Sequence, residues 1–523
     1  MIRPEAASID TKRASSGAFP RESGILLHPT SLPGRFGIGD LGDEAYHFID
    51  YLAAAGQHLW QMLPLGPVGY RSSPYQSLSA FAGNPLLIAP ARLVDQGLLD
   101  KSDLEHVPDF PIDHVDFEAV AAFKGSLLKR SFEAFEGVRG QRLRQPFEAF
   151  CAEQAAWLDD FSLFMAVKEA HGFTAWNTWE DDIRNRGPQA VERWSRLLER
   201  DIRLYKYEQF LFFEQWSELK RRCAEKKVRL VGDIPIFVAL DSDSVWAHPE
   251  MFWLDQSGRP IVVAGVPPDY FSKTGQLWDN PLYHWDVMAR DGYRWWIDRF
   301  RAALAFVDVV RIDHFRGFEK YWEIPAGSRT AVDGRWVDGP GAALFERLTA
   351  ALGNVPIIAE DLGIITPEVV ALREKFGFPG MRVLQFAFIS GRADDIHLPH
   401  NYPRNCVAYT GTHDNETVIG WFRREDKKAT TLSGATQERE RQRVLAYIGT
   451  DGSEINWDLI RLASMSVANT AIFPLADVLG LGNEARMNTP ATVGGNWNWR
   501  FRSEMLVDGP RDRLAELTTV YGR

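Results

Sequence analysis

The chain has 523 residues, 45% hydrophobic and 25% charged, enough apolar side chain for a large buried core. A net charge of −11 at pH 7 excludes the clustered lysine and arginine of a nucleic-acid or anionic-membrane surface.

Taken in chain order, residues 1–22 have no apolar centre of the kind a signal peptide needs and are expected to be a flexible lead. Eight short apolar runs bounded by turn residues follow. They are GILLHP (24–29), HLWQML (58–63), VRLVGDIPIF (228–237), VDVVRID (307–313), VPIIAED (355–361), RVLQFAF (382–388), CVAYTGT (406–412) and ANTAIFPLAD (468–477). Amphipathic stretches such as LGDEAYHFIDYLAAAG and PEVVALREKFG lie between most of them. Eight buried β-type runs alternating with helices describe an α/β fold, a (β/α)8 TIM barrel over residues 23–523.

Two gaps exceed a simple crossover, so large insertions are expected after strands 2 and 3. Residues 90–225 have helical patterning and read as a mostly helical insertion. Residues 238–300, dense in Pro, Gly and aromatics, read as a loop-rich insertion over a site. Only residues 478–523 follow the eighth run, too few for a C-terminal β-sandwich domain of ~100 residues.

In a barrel, reactive side chains sit where strands end. The third run ends near Asp233, the fourth at Asp313, the fifth at Glu360 and Asp361, and the seventh runs into His413 and Asp414. Any one such acid also serves as a helix cap or solvated turn. Four at one face repel each other, which a fold retains when it has a use for them. Arg311 and Asp313 share one face of their strand. A guanidinium there favours the ionised carboxylate and is expected to lower the pKa of Asp313, keeping it nucleophilic. The alternative is a structural ion pair. Glu360 emerges from VPIIA, whose desolvation raises its pKa as a general acid requires, and Asp414 is a third carboxylate for charge stabilisation. His314 and His413 flank two of these acids.

Other signals lead elsewhere. Gly37, Gly39 and Gly42 formally match G-x-G-x-x-G, but no acid ends the next strand, so they read as a tight first βα loop. Asp241 and Asp243 open like an EF-hand, yet Phe252 occupies the position of the bidentate Glu. No HExxH or paired CxxC is present, so neither a catalytic metal nor a cofactor is expected. Cys151, Cys223 and Cys406 show no metal or redox spacing, which suits a reducing cytoplasm. Membrane and nucleic-acid partners are not expected, and the oligomeric state is open.

VVRIDHFRGF, IIAEDLG and TGTHDNET resemble the signature segments of amylomaltases, the 4-α-glucanotransferases of the α-amylase superfamily. HPTSLPGRFGIGDLG, SSPYQSLSAFAGNP, VGDIPIFVA, VPPDYFSKTGQLWDNPLY and LGNEARMNTP look like further family segments, in order over about 24–500. The resemblance implies a retaining transfer of α-1,4-glucan segments to the 4-hydroxyl of an acceptor glucan or glucose. It implies Asp313 as nucleophile, Glu360 as general acid/base and Asp414 as transition-state stabiliser. Arg311, His314, His413 and Asp233 match donor-sugar positions; Tyr75, Asp269, Gln276, Trp278 and Asn483 match positions along the glucan path. The family commonly has Gly after the Trp of GQLW, where this chain has Asp279. Alternatives are an α-glucan hydrolase of the same superfamily, a sugar-phosphate barrel enzyme using LGLGNEA, and a glucan-binding protein without turnover. The phosphate reading lacks a strand-end lysine, and three acids would repel phosphate.

Overall fold

Runs rich in Val, Ile and Leu, buried on both faces, suit parallel strands closed into a barrel. A computed structural model describes residues 19–69, 72–268, 272–425, 434–492 and 494–523 and places all eight runs in this way. The strands in chain order are β1 (Glu22–Leu26), β2 (Leu59–Gln61), β3 (Arg229–Pro235), β4 (Val262–Val266), β5 (Gln276–Pro281) and β6 (Val309–Asp313). Then follow β7 (Lys320–Pro325), β8 (Arg335–Asp338), β9 (Ile357–Ala359), β10 (Gly380–Val383), β11 (Cys406–Tyr409) and β12 (Thr470–Pro474). A closed parallel barrel runs β1-β12-β11-β10-β9-β6-β3-β2.

Side-chain alternation sorts each strand. Val231, Val309, Ile358, Met381, Val407 and Ile472 fill the barrel interior, while Val310 and Ile312 pack outward against the helical layer. Arg311 and Asp313, two and four residues beyond Val309, therefore share the interior face. Burial of each such Val, Ile or Leu stabilises by about 1.5–3 kcal/mol. β1 and β2 approach so closely that a Cβ on Gly24 would lie 2.3 Å from that of Leu59. The first βα loop is equally tight: a Cβ on Gly39 would lie 2.0 Å from the Pro29 carbonyl.

Between β2 and β3 stand the long helices Phe117–Glu136, Gln141–Ala170 and Glu199–Glu225. Phe132, Phe135, Phe147, Tyr207 and Phe210 interlock among them. Residues 238–300 depart from the loop reading. They hold β4 and β5, and the helix Arg294–Phe306. β4 pairs antiparallel with β5 and also with β7, giving a four-stranded sheet in the order β5-β4-β7-β8. A further insertion, after β6, thus supplies half of that sheet. Its ladder joins segments far apart in sequence, so neither reads as a strand alone.

The last residues of the expected lead are fixed in place. Arg21 donates to the carbonyls of Ser464, Ser466, Ala468 and Tyr521, and Glu22 begins β1, so the chain is already tied down there; residues 1–18 lie outside the described residues. After β12 come short helices and the helix Asp508–Tyr521, with no β-sandwich among the described residues. No helix among them is long and apolar enough to cross a membrane.

Candidate active site

Strand register builds the floor of the site. Asp233 on β3 lies opposite Arg311 on β6, and Asp313 follows on the same face. Arg311 Nη1 donates to Asp233 Oδ2 at 2.5 Å and to Asp313 Oδ1 at 3.1 Å. The Tyr75 hydroxyl donates to the same Asp233 oxygen at 2.8 Å and lies 2.9 Å from His413 Nε2. The side chains of Asp233 and Arg311 are 0% and 3% exposed, against 29% for Asp313 and 48% for Asp414. Only the last two acids open to the cleft. Asp233 faces Arg311 and Tyr75 beneath it.

Burial raises the Asp313 carboxyl well above the ordinary carboxylate range, opposed by Arg311 and reinforced by Asp233, Glu360 and Asp414. This reverses the net lowering expected from Arg311 alone. One guanidinium is shared among several buried acids, and its shortest contact goes to Asp233.

Glu360 directly follows β9. Its Oε2 accepts from the His314 amide at 2.7 Å and its Oε1 from the Leu362 amide at 2.8 Å. His314 turns its amide inward from a left-handed backbone, φ +53°. Burial raises Glu360 to about 7, with Arg311 and the two amides opposing. Its sequence neighbour Asp361 turns away, taking Arg373 at 2.5 Å and the Met381 amide at 2.7 Å.

Burial lowers His314 to about 3 and also lowers His413, so both imidazoles are neutral at pH 7. Asp414 Oδ1 accepts from Asn488 Nδ2 at 2.6 Å, and its carbonyl accepts from Arg486 at 3.2 Å. The Trp278 ring stands edge-on to His314 with centroids 4.9 Å apart, and its Nε1 donates to Gln276 Oε1 at 3.1 Å. Asn483 donates to Glu416 Oε1 at 2.7 Å and packs on Gly420, where a Cβ would lie 2.1 Å from its Oδ1. Asp269 lies outside the described residues.

Several residues at the mouth escaped the sequence reading. Asn488 and Arg486 hold Asp414. Trp497, at φ +66°, sets its ring 5.6 Å from Tyr75 and 6.0 Å from His413. His28 is buried, and burial lowers it to about 3, with the neighbouring His413 disfavouring a second charge there. It closes the run GILLHP, so the strand-end rule that found Asp233 also points to it.

Asp233 Oδ1, His314 Nε2 and His413 Nδ1 are buried without a protein partner among the described residues. A buried proton-carrying carboxyl beside others that share one cation supplies both protonation states that glycoside chemistry requires. Among the described residues no three His, Cys, Asp or Glu side chains could hold a metal together. Asp241 instead pairs with Lys168 at 2.6 Å, and Asp243 accepts from Ser79 at 2.7 Å.

Residues 27–506 match the family model described as 4-alpha-glucanotransferase. A 4-alpha-glucanotransferase of Synechocystis sp. is 50% identical over 507 residues, covering 96% of this chain and 98% of the relative. That of Thermus thermophilus is 50% identical over 510 residues, covering 97% and 99%. The solved amylomaltase from Streptococcus agalactiae in complex with acarbose superposes with a TM-score of 0.91 at 38% identity, covering 96% of this chain and 99% of that one. With the fold, the mouth and its near-complete match all in agreement, the chain belongs to the 4-alpha-glucanotransferase family.

Proposed function

We propose that the family's transfer runs here through a covalent glycosyl ester on Asp313. The observation that carries this is Glu360, raised to about 7 and clamped by two amides, within electrostatic reach of the Arg311–Asp313 pair. With the proton of the coupled acids carried by Glu360 and Arg311 Nη1 beside Asp313 Oδ1, the Asp313 carboxylate attacks the anomeric carbon of an α-1,4-glucan. The bond from that carbon to O4 of the leaving glucan breaks, and Glu360 gives its proton to that oxygen. The 4-hydroxyl of an acceptor then attacks the same carbon, returns its proton to Glu360 and frees Asp313. Two inversions give net retention. Asp414, steadied by Asn488, stabilises the positive charge that develops on the sugar ring.

The neutral rings of His314 and His413 offer hydrogen bonds to donor-sugar hydroxyls. Arg311, locked by Asp233 and Tyr75, fixes Asp313. Gln276, Trp278 and Asn483 follow the glucan on either side of the cut, with Trp278 as a stacking face for the acceptor. The ligands are α-1,4-glucans and maltooligosaccharides, a class that the acarbose complex of the Streptococcus relative supports. A cytoplasmic setting is supported by Cys151, Cys223 and Cys406, all free thiols.

Maltotriose given to the purified chain should yield glucose plus longer maltooligosaccharides. Products that are only shorter would make it a hydrolase of the same superfamily. Mass spectrometry of Glu360→Gln supplied with a maltosyl fluoride should find the sugar on the Asp313 peptide; an unmodified Asp313 would refute the ester.

A further inference from the structure

Two non-glycine residues at the mouth, His314 at φ +53° and Trp497 at φ +66°, hold left-handed backbone, and so does Asp279 at φ +62°, which directly follows Trp278 in β5. Such conformations persist where surrounding structure enforces them and gather at functional sites. Two of the three have a visible reason. His314 directs its amide to Glu360, and Trp497 seats its ring beside Tyr75 and His413. Asp279 has none of this kind. Its side chain is exposed and joins no hydrogen bond or ion pair among the described residues.

Its place in the sheet is unusual as well. Val263 pairs with Pro281 and Gly265 with Leu277, so two steps along β4 correspond to four along β5. Asp279 lies within that bulge, a device that re-aims neighbouring side chains. On one side Trp278 meets His314 edge-on. On the other, Asn280 is fixed by the Val238 carbonyl at 2.8 Å and by Gln76 at 3.2 Å. Both flanks are anchored. The residue between them carries a carboxylate at a backbone position that glycine takes without strain.

We infer that Asp279 is a specificity-determining residue, whose carboxylate accepts a hydrogen bond from a hydroxyl of the acceptor sugar stacked on Trp278. This rests on the reading of Trp278 as the acceptor platform. A carboxylate is a strong acceptor for a sugar hydroxyl, and this one sits on a backbone anchored at both flanks with no protein partner among the described residues to compete for it. The ligand class is an acceptor glucose or the non-reducing end of a maltooligosaccharide.

The test is acceptor kinetics at saturating donor, with maltose as the varied acceptor. Asp279→Ala should raise the acceptor KM about tenfold, the loss of one charge-assisted hydrogen bond, with the change falling in KM rather than kcat. Asp279→Asn, which keeps a neutral oxygen acceptor, should raise it about threefold. Asp279→Gly should match the alanine variant in KM yet melt at a higher temperature, because glycine relieves the backbone strain. If Trp278→Ala raises the acceptor KM while the alanine and glycine variants at 279 do not, the inference is overturned and the acceptor platform stands. If Trp278→Ala also leaves the acceptor KM unchanged, the platform reading fails and this inference falls with it. An Asp279→Gly variant melting below Asp279→Ala would assign the residue to the fold instead.

Discussion

At the barrel mouth, Asp233, Asp313, Glu360 and Asp414 act on one another around the single guanidinium of Arg311. In the helical region between residues 117 and 225, several acids are matched one to one: Asp160 with Arg186 at 2.5 Å, Glu148 with Arg203 at 2.7 Å, Glu136 with Arg200 at 2.9 Å, and Asp159 with Lys206. Both regions are rich in charge, but the balance differs. A matched surface pair contributes at most ~1 kcal/mol and its protonation is independent of other pairs. Buried acids outnumbering their cation titrate together and destabilise the fold. Imbalance therefore marks chemistry where balance marks scaffold.

The sharpest way to break that contrast is to neutralise one acid in each region. Asp313→Asn should cut glucose release from maltotriose on the order of 10⁴-fold or more. Its melting temperature should hold or rise, because a repelling charge is gone. Glu360→Gln should lose roughly 10²–10⁴-fold. Asp159→Asn should stay within about twofold in rate and about 0.5 kcal/mol in stability. An Asp313→Asn variant that melts several degrees lower yet keeps its specific activity while folded would make the mouth scaffold after all.

Removing the cation is the next step down. Arg311→Met leaves Asp233 buried without its cation and removes the partner of the partly exposed Asp313, at a cost of about 3–5 kcal/mol that falls mainly on the buried pair. The sign with pH follows. Without Arg311, which opposes the effect of burial, Asp313 holds its proton still more tightly in the folded chain than unfolded. Stability is then retained below pH ~4 and lost as pH rises through the folded values. The deficit measured by denaturant should be larger at pH 8 than at pH 5. Arg203→Met, with its partner in water, should cost less than about 1 kcal/mol at both.

The same contrast explains what the sequence discloses. Buried parallel strands are continuous apolar runs, so VDVVRID and VPIIAED mark both a strand and the acid at its end. The sheet β5-β4-β7-β8 is not legible in this way. KYWEIP and RWVD are short, partly exposed and paired across insertions on two different barrel loops. Asn488 and Trp497 belong to the return of the chain after β12, where no periodicity singles out a residue; their importance comes from meeting Asp414, Tyr75 and His413 in space. The direction of Glu360 follows from its apolar flank. That of Asp313 does not, because Arg311 is nearer to Asp233, and only strand register reveals it.

A milder effect lies in the pH profile. Glu360 must carry its proton to expel the leaving glucan, so kcat/KM for maltotriose should fall as pH rises through about 7. The acid limb belongs to the Asp313 cluster as a whole. Rates measured from pH 5 to 9 should trace a bell; a plateau persisting to pH 9 would remove Glu360 from the role of acid. Glu148→Gln, in the matched region, should leave the curve in place.

The smallest effect tests whether an elevated carboxyl suffices to mark a site. Glu208, on the helix Glu199–Glu225, is buried, and burial raises it to about 8, with Glu169 adding and Lys129 opposing. It breaks the one-to-one rule of its region, yet no barrel strand end lies beside it in sequence and no sugar-facing role attaches to it. Its folded pKa lies above the unfolded value, so its contribution is present below pH ~4 and is lost as pH rises through about 8. Glu208→Gln, which cannot ionise, should therefore match the parent chain near pH ~4 and melt progressively higher than it as the pH rises towards ~9, with transfer from maltotriose changed by less than about twofold. A large loss of transfer would extend the chemistry into the helical region. The expected result separates the two conditions for a site: a carboxyl that keeps its proton, and a second acid open to the same cleft. Glu360 meets both, and Glu208 only the first.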